Sequence, residues 1–292
     1  MKQGTKEWEH LRKSYIGASD SPILMGVVRW KMEDGRIKTP RILWEEKLGL
    51  LDIKVNAYAT GLGKEMEPKI LNHYQNLKGE TYNPKVLFHP DKKFIMASLD
   101  GLNEKCTHAV EIKFANAEDH SIALDGKIPE KYYPQVQHQL DVLYALYGIT
   151  KMDYLSYHNE DFITVEVSKN DAYLEKLWNV KTKFWHCVQN FEEPALTEDD
   201  FIEQDERWGK TAQMIYDIKS KIKDLTAEEK ELTALIREMS QGKNSRGSGF
   251  RFSHHIRKGS VDYKSIPEIK SINLDPYRKS PSSIWQLRKE KC

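Results

Sequence analysis

Residues 86–115 read VLFHPDKKFIMASLDGLNEKCTHAVEIKFA, and this stretch carries the strongest structural signal in the chain. It predicts two strand regions, VLFHPDKKFIMAS with a turn at Pro90–Asp91 and HAVEIKFA, on either side of the turn-rich LDGLNEKCT. Side chains alternate along HAVEIKFA, so we expect one face to pack on a core and the other to present charge. The core-facing side chains are Val110, Ile112 and Phe114, and the charged ones are Glu111 and Lys113.

Helical and strand patterns alternate after this stretch. Residues 129–147 have apolar side chains at helical intervals, and Gly148 can end that helix. Since Pro134 fits only a first turn, the helix is predicted to start near Tyr133. Two strand patterns, MDYLSYHN and DFITVEVS, and a helical one, DAYLEKLWNVKTKFWHCVQNF, follow. This alternation is typical of an α/β domain.

The composition changes after residue 191. Residues 192–206 are rich in Asp and Glu, and residues 209–241 carry an apolar heptad pattern that Glu229 interrupts. A capping-box signature at Thr226 leaves a single helix and a helical hairpin equally open. Further on, FRFSHHIRKGSVDYKSIP predicts a short β-hairpin turning at Lys258–Gly259. We therefore expect three regions: an α/β domain at 1–191, an acidic linker with a coiled-coil or hairpin segment at 192–242, and a basic tail at 243–292.

Composition excludes several classes of protein. Hydrophobic residues make up 39% of the 292 residues and charged residues 30%, which disfavours a disordered chain. Three widely spaced cysteines encode neither a disulfide framework nor a thiolate metal site. No apolar run approaches the roughly 20 residues that span a bilayer, and the beginning, MKQGTKEWEH, lacks the apolar block of a signal peptide. We expect a cytoplasmic protein without a membrane partner.

The net charge of +1 hides an asymmetry. Residues 243–292 hold 12 Lys and Arg against 4 Asp and Glu, a net charge of +8, so residues 1–242 carry −7. A basic tail on an acidic body indicates a polyanion partner or an acidic docking surface, with a merely solvated end as the alternative. We expect the tail to hold DNA or a partner protein.

The chemistry is predicted around Asp100, which ten residues separate from the sequence Glu111-Ile112-Lys113. An Asp at the end of one strand and a Glu-x-Lys on its neighbour can bring two carboxylates and an ammonium group together. Carboxylates and a backbone carbonyl suit Mg²⁺, which retains waters and takes further oxygens from a phosphate. The lysine can orient a nucleophile or stabilise a developing oxyanion. An exposed cross-strand ion pair is the alternative reading of this pattern alone.

The wider context resembles the PD-(D/E)xK nucleases, and within them the YqaJ and lambda-exonuclease group of phage recombination nucleases. Four blocks occur in that group's order with similar gaps over roughly residues 8–150: Trp8 with Arg12 and Gly17-Ala18-Ser19-Asp20; GLGKEME at 61–67; the LDG and EIK pair; and YYPQVQ at 132–137. The resemblance implies a restriction-endonuclease-like fold, a mixed central sheet flanked by helices, here with a helical and basic C-terminal extension. Leu99 departs from it, since a Pro is common before the Asp.

The resemblance also implies roles in catalysis. Asp100 and Glu111 would be the metal carboxylates, completed by the main-chain carbonyl of Ile112, and Lys113 would be the catalytic lysine. Glu67 matches a helix carboxylate that assists the metals, with Glu65 as the alternative because Pro68 follows Glu67 directly.

Two further matches come from the remaining blocks. Gln137 matches the active-site glutamine, with Gln135 and Gln139 as alternatives on the same helix. Arg12 and Ser19 match a pocket for a terminal 5′-phosphate, which suits a guanidinium group beside a hydroxyl.

The implied activity is 5′-to-3′ degradation of linear double-stranded DNA with two Mg²⁺ ions, which Mn²⁺ can replace. It leaves a 3′ single strand for an annealing protein in phage-type homologous recombination, within a bacterial host cell. Members of the group form ring-shaped trimers, so we expect a homo-oligomer. The alternatives are a nicking or structure-specific endonuclease of the same fold and a DNA-end-binding module without activity.

Overall fold

A computed structural model describes residues 5–51, 57–257, 259–267, 269, 272, 274 and 277–280. The chain divides into two compact units, Met1–Phe201 and Ile202–Cys292. None of the helices in the described ranges combines the length and apolar character that crossing a bilayer requires.

A mixed sheet forms the centre of the described part of the first unit. Its strands are β1 (Ile16–Gly17), β2 (Tyr82–Phe88), β3 (Ile95–Asn103), β4 (Ala109–Phe114), β5 (Lys151–His158) and β6 (Asp161–Ser168). Their order is β1-β3-β4-β5-β6, and β2 also pairs with β3. β1 runs parallel to β3 and β4 parallel to β5, while the other pairs are antiparallel. The predicted strands are therefore confirmed, with β2 and β3 on either side of the predicted turn. However, β3 continues to Asn103, into the stretch LDGLNEKCT that was predicted to form turns.

Helices cover both faces of this sheet. They are α1 (Lys6–Lys13), α2 (Ser21–Leu24), α3 (Pro40–Lys47), α4 (Ala57–Lys78), α5 (Ala117–Leu124), α6 (Tyr133–Tyr147) and α7 (Asp171–Asn190), with short 3-10 turns at Ala18–Asp20 and Glu130–Tyr132. One core cluster joins α4 to β4 and β5, and a larger one joins α6 and α7 to β3 and β5. The predicted start at Tyr133 and the end at Gly148, which has a φ of 73°, are confirmed.

The position of β4 explains a partial failure of the alternation argument. Helix α4 packs on the face of β4 that carries Val110 and Ile112, and α6 covers the other face, so Glu111 is only 1% exposed instead of facing solvent. Conversely, Phe114 ends the strand and stays 43% exposed, although it was predicted to face the core. A strand inside a sheet that is covered on both sides need not follow the one-face pattern.

The acidic segment after α7 belongs to the first unit up to Phe201. Arg29 forms ion pairs with Glu198 and Asp199, and Thr39 donates a hydrogen bond of 2.5 Å to Asp200. These contacts tie part of the predicted linker to the surface of the α/β unit.

The second unit contains α8 (Glu206–Met239) and a hairpin of β7 (Ser245–Gly247) and β8 (Phe250–Phe252), followed by a 3-10 turn at Tyr263–Ser265. Of the two alternatives, the single helix is observed, because the Thr226 hydroxyl donates to the Ile222 carbonyl at 2.6 Å instead of capping a new helix. The hairpin turns at Ser248–Gly249, where both residues have positive φ. The predicted turn at Lys258–Gly259 includes Lys258, which lies outside the described residues, and no strand occupies 253–257 or 259–262.

Candidate active site

The candidate site opens where β3 and β4 part. Their pairing is limited to Gly101 with Val110 and Leu102 with Ala109. Beyond that point Asp100 replaces the strand-to-strand bond, because its carboxylate accepts the main-chain N–H of Ile112 at 2.7 Å. The Asp and the Glu-x-Lys, far apart in sequence, therefore meet at one point of the sheet.

Glu111 is held from three sides. Lys113 Nζ donates to Oε1 at 2.5 Å, Gln135 Nε2 donates to the same oxygen, and Gln139 Nε2 donates to Oε2 at 2.5 Å. Gln139 Nε2 also lies 3.0 Å from the Ser98 carbonyl on β3. Both carboxylate oxygens thus have partners, and the orientation of Glu111 is fixed by α6 and by β4 itself.

Gln137 is not part of this arrangement. Its Nε2 donates to the Ser168 carbonyl at 2.8 Å, and its Oε1 accepts the Asn170 N–H at 2.8 Å, so it secures the start of α7. Gln135 and Gln139 lie one helical turn apart on one face of α6, whereas Gln137 is rotated by about 200° from Gln135. The structure therefore brings Gln135 and Gln139 to Glu111, and not Gln137, which the resemblance matched to the active-site glutamine.

Charge in this site is predominantly negative. Burial raises the pKa of Asp100 well above its ordinary value, and the charges of Glu111 and Glu67 act in the same direction. Burial alone would lower the pKa of Lys113, but Glu111 and Asp100 raise it, so Lys113 remains an ammonium group. The carboxylates gathered here outnumber the single ammonium group, an excess of acid that a bound cation would offset.

The second block, GLGKEME at 61–67, contributes one described carboxylate to the site. Glu67 lies in α4 and acts electrostatically on Asp100, and α4 continues through Pro68. Glu65, the alternative, is exposed. Of the two, Glu67 is the carboxylate whose charge acts on Asp100, and the side chains of 57–64 lie outside the described residues.

The donor set fits Mg²⁺ in its chemistry. In the part of the chain that the structure describes, no three His, Cys, Asp or Glu side chains form a complete metal cage. The predicted set needs only the Asp100 and Glu111 carboxylates and a main-chain oxygen of Ile112. Mg²⁺ takes few protein oxygens and keeps several waters, so these hard ligands suffice.

Arg12 and Ser19 come together in a second polar cluster. Arg12 Nη2 donates to Ser19 Oγ at 2.8 Å and lies 3.3 Å from Asp20 Oδ1. Lys47 Nζ contacts Asp20 Oδ2 at 2.6 Å and the Arg12 carbonyl at 2.9 Å, and the Gly17 N–H donates to Asp20 Oδ2 at 2.9 Å. The predicted pair therefore rests on a buried carboxylate.

Electrostatics keeps that carboxylate charged. Burial alone would raise the pKa of Asp20, but Lys47 and Arg12 hold it well below its ordinary value. The Arg12 side chain is 29% exposed, whereas those of Asp20 and Lys47 are each 2% exposed. The buried Asp20 thus anchors the Arg12 guanidinium group, which remains partly exposed to solvent.

The two clusters are joined through one residue of β3. The Arg12 guanidinium carbon lies over the Trp8 ring, 4.9 Å from the ring centre. Trp8 donates its indole N–H to Ser98 Oγ at 3.3 Å. The Ser98 carbonyl contacts Gln139, which holds Glu111. Lys47 was missed by the sequence interpretation, since nothing marks one lysine of α3 as the partner of Asp20.

A mixed sheet flanked by helices, whose β3 and β4 part around an acid pair and a lysine, defines a restriction-endonuclease-like α/β domain, as predicted. Residues 7–152 match the YqaJ-like viral recombinase domain, half of the chain, and the protein belongs to that family. The uncharacterized protein YqaJ of Bacillus subtilis (strain 168) is 29% identical over 194 residues, which cover 65% of this chain and 58% of that relative. The chain therefore matches less than two thirds of that relative's length.

Solved structures share the fold. Two crystal structures of LHK-Exo, one in complex with dAMP and one described as an alkaline exonuclease from Laribacter hongkongensis, superpose with TM-scores of 0.53 and 0.51. Each is 22% identical and covers 64% of this chain and 93% of the other.

Proposed function

We propose that this protein is a divalent-metal-dependent exonuclease that degrades linear double-stranded DNA from 5′ ends and leaves 3′ single strands. The observation that carries the proposal is the series of contacts that links the Arg12 and Ser19 cluster through Trp8 and Ser98 to the acidic site. A site for a terminal phosphate beside a hydrolytic centre suits an enzyme that begins at an end. Family membership and the fold of an alkaline exonuclease support the same reaction class.

Each residue has a defined task in this proposal. Asp100, Glu111 and the Ile112 carbonyl would hold Mg²⁺, which supplies Lewis-acid activation of the phosphodiester and acidifies a water. Lys113 orients the attacking nucleophile and stabilises negative charge on phosphate oxygens. Gln135 and Gln139 keep Glu111 from rotating out of the ligand position.

The decisive assay compares linear duplexes bearing 5′-phosphate or 5′-hydroxyl ends with a closed circle, each incubated with Mg²⁺ and sampled over time. We expect the 5′-phosphorylated duplex to be degraded fastest and the circle to remain intact. Cleavage of the circle would support an endonuclease instead, and binding without hydrolysis would support a DNA-end-binding module.

Variants locate the activity in the proposed residues. Asp100→Asn is expected to abolish turnover, with Asp91→Asn in the exposed β2–β3 turn as the matched control. Lys113→Ala should bind DNA ends but lose turnover. Full hydrolysis by Asp100→Asn would refute the assigned site.

The product suits phage-type recombination, since an annealing protein acts on 3′ single strands. A closed ring of subunits would keep a nearly neutral protein on DNA with few basic contacts. Copurification with an annealing protein and the subunit number in solution test these two proposals.

A further inference from the structure

Helix α8 presents an apolar seam along its length. The seam side chains at heptad positions a and d are largely exposed: Ile215 (42%), Ile218 (53%), Ile222 (57%), Leu225 (63%), Leu232 (57%), Ile236 (47%) and Met239 (74%). The hairpin only borders it, because Phe252 lines one side of a groove that includes Leu225, Leu232 and Ile236. A 3.5-residue apolar repeat with this exposure is typical of a helix that packs against another helix.

The charges of α8 are unevenly distributed. Residues 206–223 carry a net charge of +3 and residues 224–239 a net charge of −3. Two copies of such a helix attract each other when they run antiparallel, since each basic half then faces an acidic half. Run parallel, they place like charges side by side.

We propose that two copies of this chain associate through their α8 helices in antiparallel orientation, with Ile222 of each copy packed beside Leu225 of the other. In this register Ile215 faces Leu232, and Trp208 faces Met239 near the helix ends. The inference goes beyond the proposed nuclease function, because α8 lies in the second unit and carries none of the nuclease residues.

The flanking positions select this register. In an antiparallel pair the g positions of the two helices face each other, which sets Lys221 opposite Glu228 and Met214 opposite Leu235. Sliding by one heptad in either direction would instead set Lys221 against Lys221 or Glu228 against Glu228. Charge complementarity therefore exists in only one of the three registers.

The polar residue in the seam favours the same orientation. Glu229 occupies an a position, and in a parallel pair it would face Glu229 of the second copy. In the antiparallel pair it faces Ile218, with Lys219 and Lys221 of the second copy beside it. An acidic side chain in the seam is thus repelled in one orientation and neutralised in the other.

The experiment measures self-association of the full chain by sedimentation equilibrium over a range of concentrations. Lys221→Glu and Glu228→Lys each turn two attractive pairs into repulsive ones, so each variant should associate on the order of tenfold more weakly. An equimolar mixture of the two variants should recover the wild-type affinity, because each charge then meets its opposite. Lys223→Glu and Glu231→Lys, at outward-facing b and c positions, are the matched controls and should associate like wild type.

Other outcomes overturn the proposal. A wild-type chain that stays monomeric at about 100 μM excludes association of useful strength. Single variants that associate like wild type, or a mixture that does not recover affinity, exclude the antiparallel pair even if the protein is oligomeric. Circular dichroism of each variant shows that α8 remains helical, so a folding defect is not mistaken for lost association.

Discussion

Gln139 donates its side-chain amide to Oε2 of Glu111 at 2.5 Å, while its own Oε1 is buried and accepts no hydrogen bond from the described residues. The same amide also reaches the Ser98 carbonyl of β3. Gln139 therefore fixes the carboxylate relative to the strand that bears Asp100, and it retains an acceptor for a donor in the site.

This relationship predicts the effect of Gln139→Leu. The variant keeps the side-chain volume but removes the donor to Oε2 of Glu111 and leaves Gln135 as the remaining α6 contact of that carboxylate, so kcat/KM for DNA hydrolysis should fall about 10- to 100-fold. Gln137→Leu is the matched control: it should lower the melting temperature, because Ser168 and Asn170 lose a partner, and leave hydrolysis by the folded enzyme nearly unchanged. A larger loss of activity in Gln137→Leu would restore Gln137 as the active-site glutamine.

Gly101 predicts a packing effect. A Cβ there would lie 2.8 Å from Val110 Cγ1 and 3.1 Å from Leu71 Cδ1, so Gly101→Ala would force these side chains of β4 and α4 away from β3. We expect a loss of about 1–3 kcal/mol in the free energy of unfolding, measured by urea titration. The same substitution at Gly209, in α8 with open space around it, should increase helicity instead. Equal stability of Gly101→Ala and wild type would contradict this prediction, because it would mean that the neighbouring side chains move aside at no cost.

Asp153 predicts a dependence of stability on pH. Its carboxylate contacts Tyr74 Oη at 2.6 Å, Lys78 Nζ at 2.8 Å and His108 Nε2 at 3.6 Å. Burial alone would raise the pKa of Asp153, but these partners lower it to about 2. A lowered pKa stabilises the folded state above the unfolded pKa near 4, and this stabilisation is lost as the pH falls toward 2.

The change to test is therefore Asp153→Asn. Between pH 5 and pH 3 the wild-type protein should lose about 1 kcal/mol more free energy of unfolding than the variant. Asp125 is an exposed carboxylate at the end of α5, and Asp125→Asn is the control. Its free energy of unfolding should depend on pH as that of the wild type does. Parallel pH profiles for wild type and Asp153→Asn would contradict the assignment.

Arg12 predicts a preference for one kind of DNA end. Arg12→Gln removes the guanidinium group that Asp20 positions beside Ser19, so the rate ratio between 5′-phosphorylated and 5′-hydroxyl duplexes should approach one. Arg36→Gln, whose guanidinium pairs with Asp34 at the surface, should keep the wild-type ratio. An unchanged ratio in Arg12→Gln would place phosphate recognition elsewhere.

Local patterns predicted the sheet strands and α6 because alternation and helical periodicity are properties of short segments. The burial of Glu111 could not be predicted in this way, since it depends on α4 and α6 covering the two faces of β4. The choice among Gln135, Gln137 and Gln139 depends on how α6 is rotated about its axis. The contacts of Gln137 with Ser168 and Asn170, more than 30 positions away, hold that rotation together with the core packing of α6.

Two other differences have local causes. The hairpin of the second unit turns at Ser248–Gly249, a Ser-Gly pair that accepts positive φ at both positions, and not at the later Lys-Gly pair. The pairing of Lys47 with Asp20 could not be predicted from the sequence, because it is a contact between residues 27 positions apart.

The contacts of Asp20 predict how fast the proposed recognition of DNA ends occurs. Its partners all belong to this chain, so folding itself orders the Arg12 guanidinium and no conformational freedom need be lost there at the encounter with DNA. Capture of a terminus should accordingly proceed in one step whose speed follows diffusion and ionic strength, without a slow isomerisation after contact.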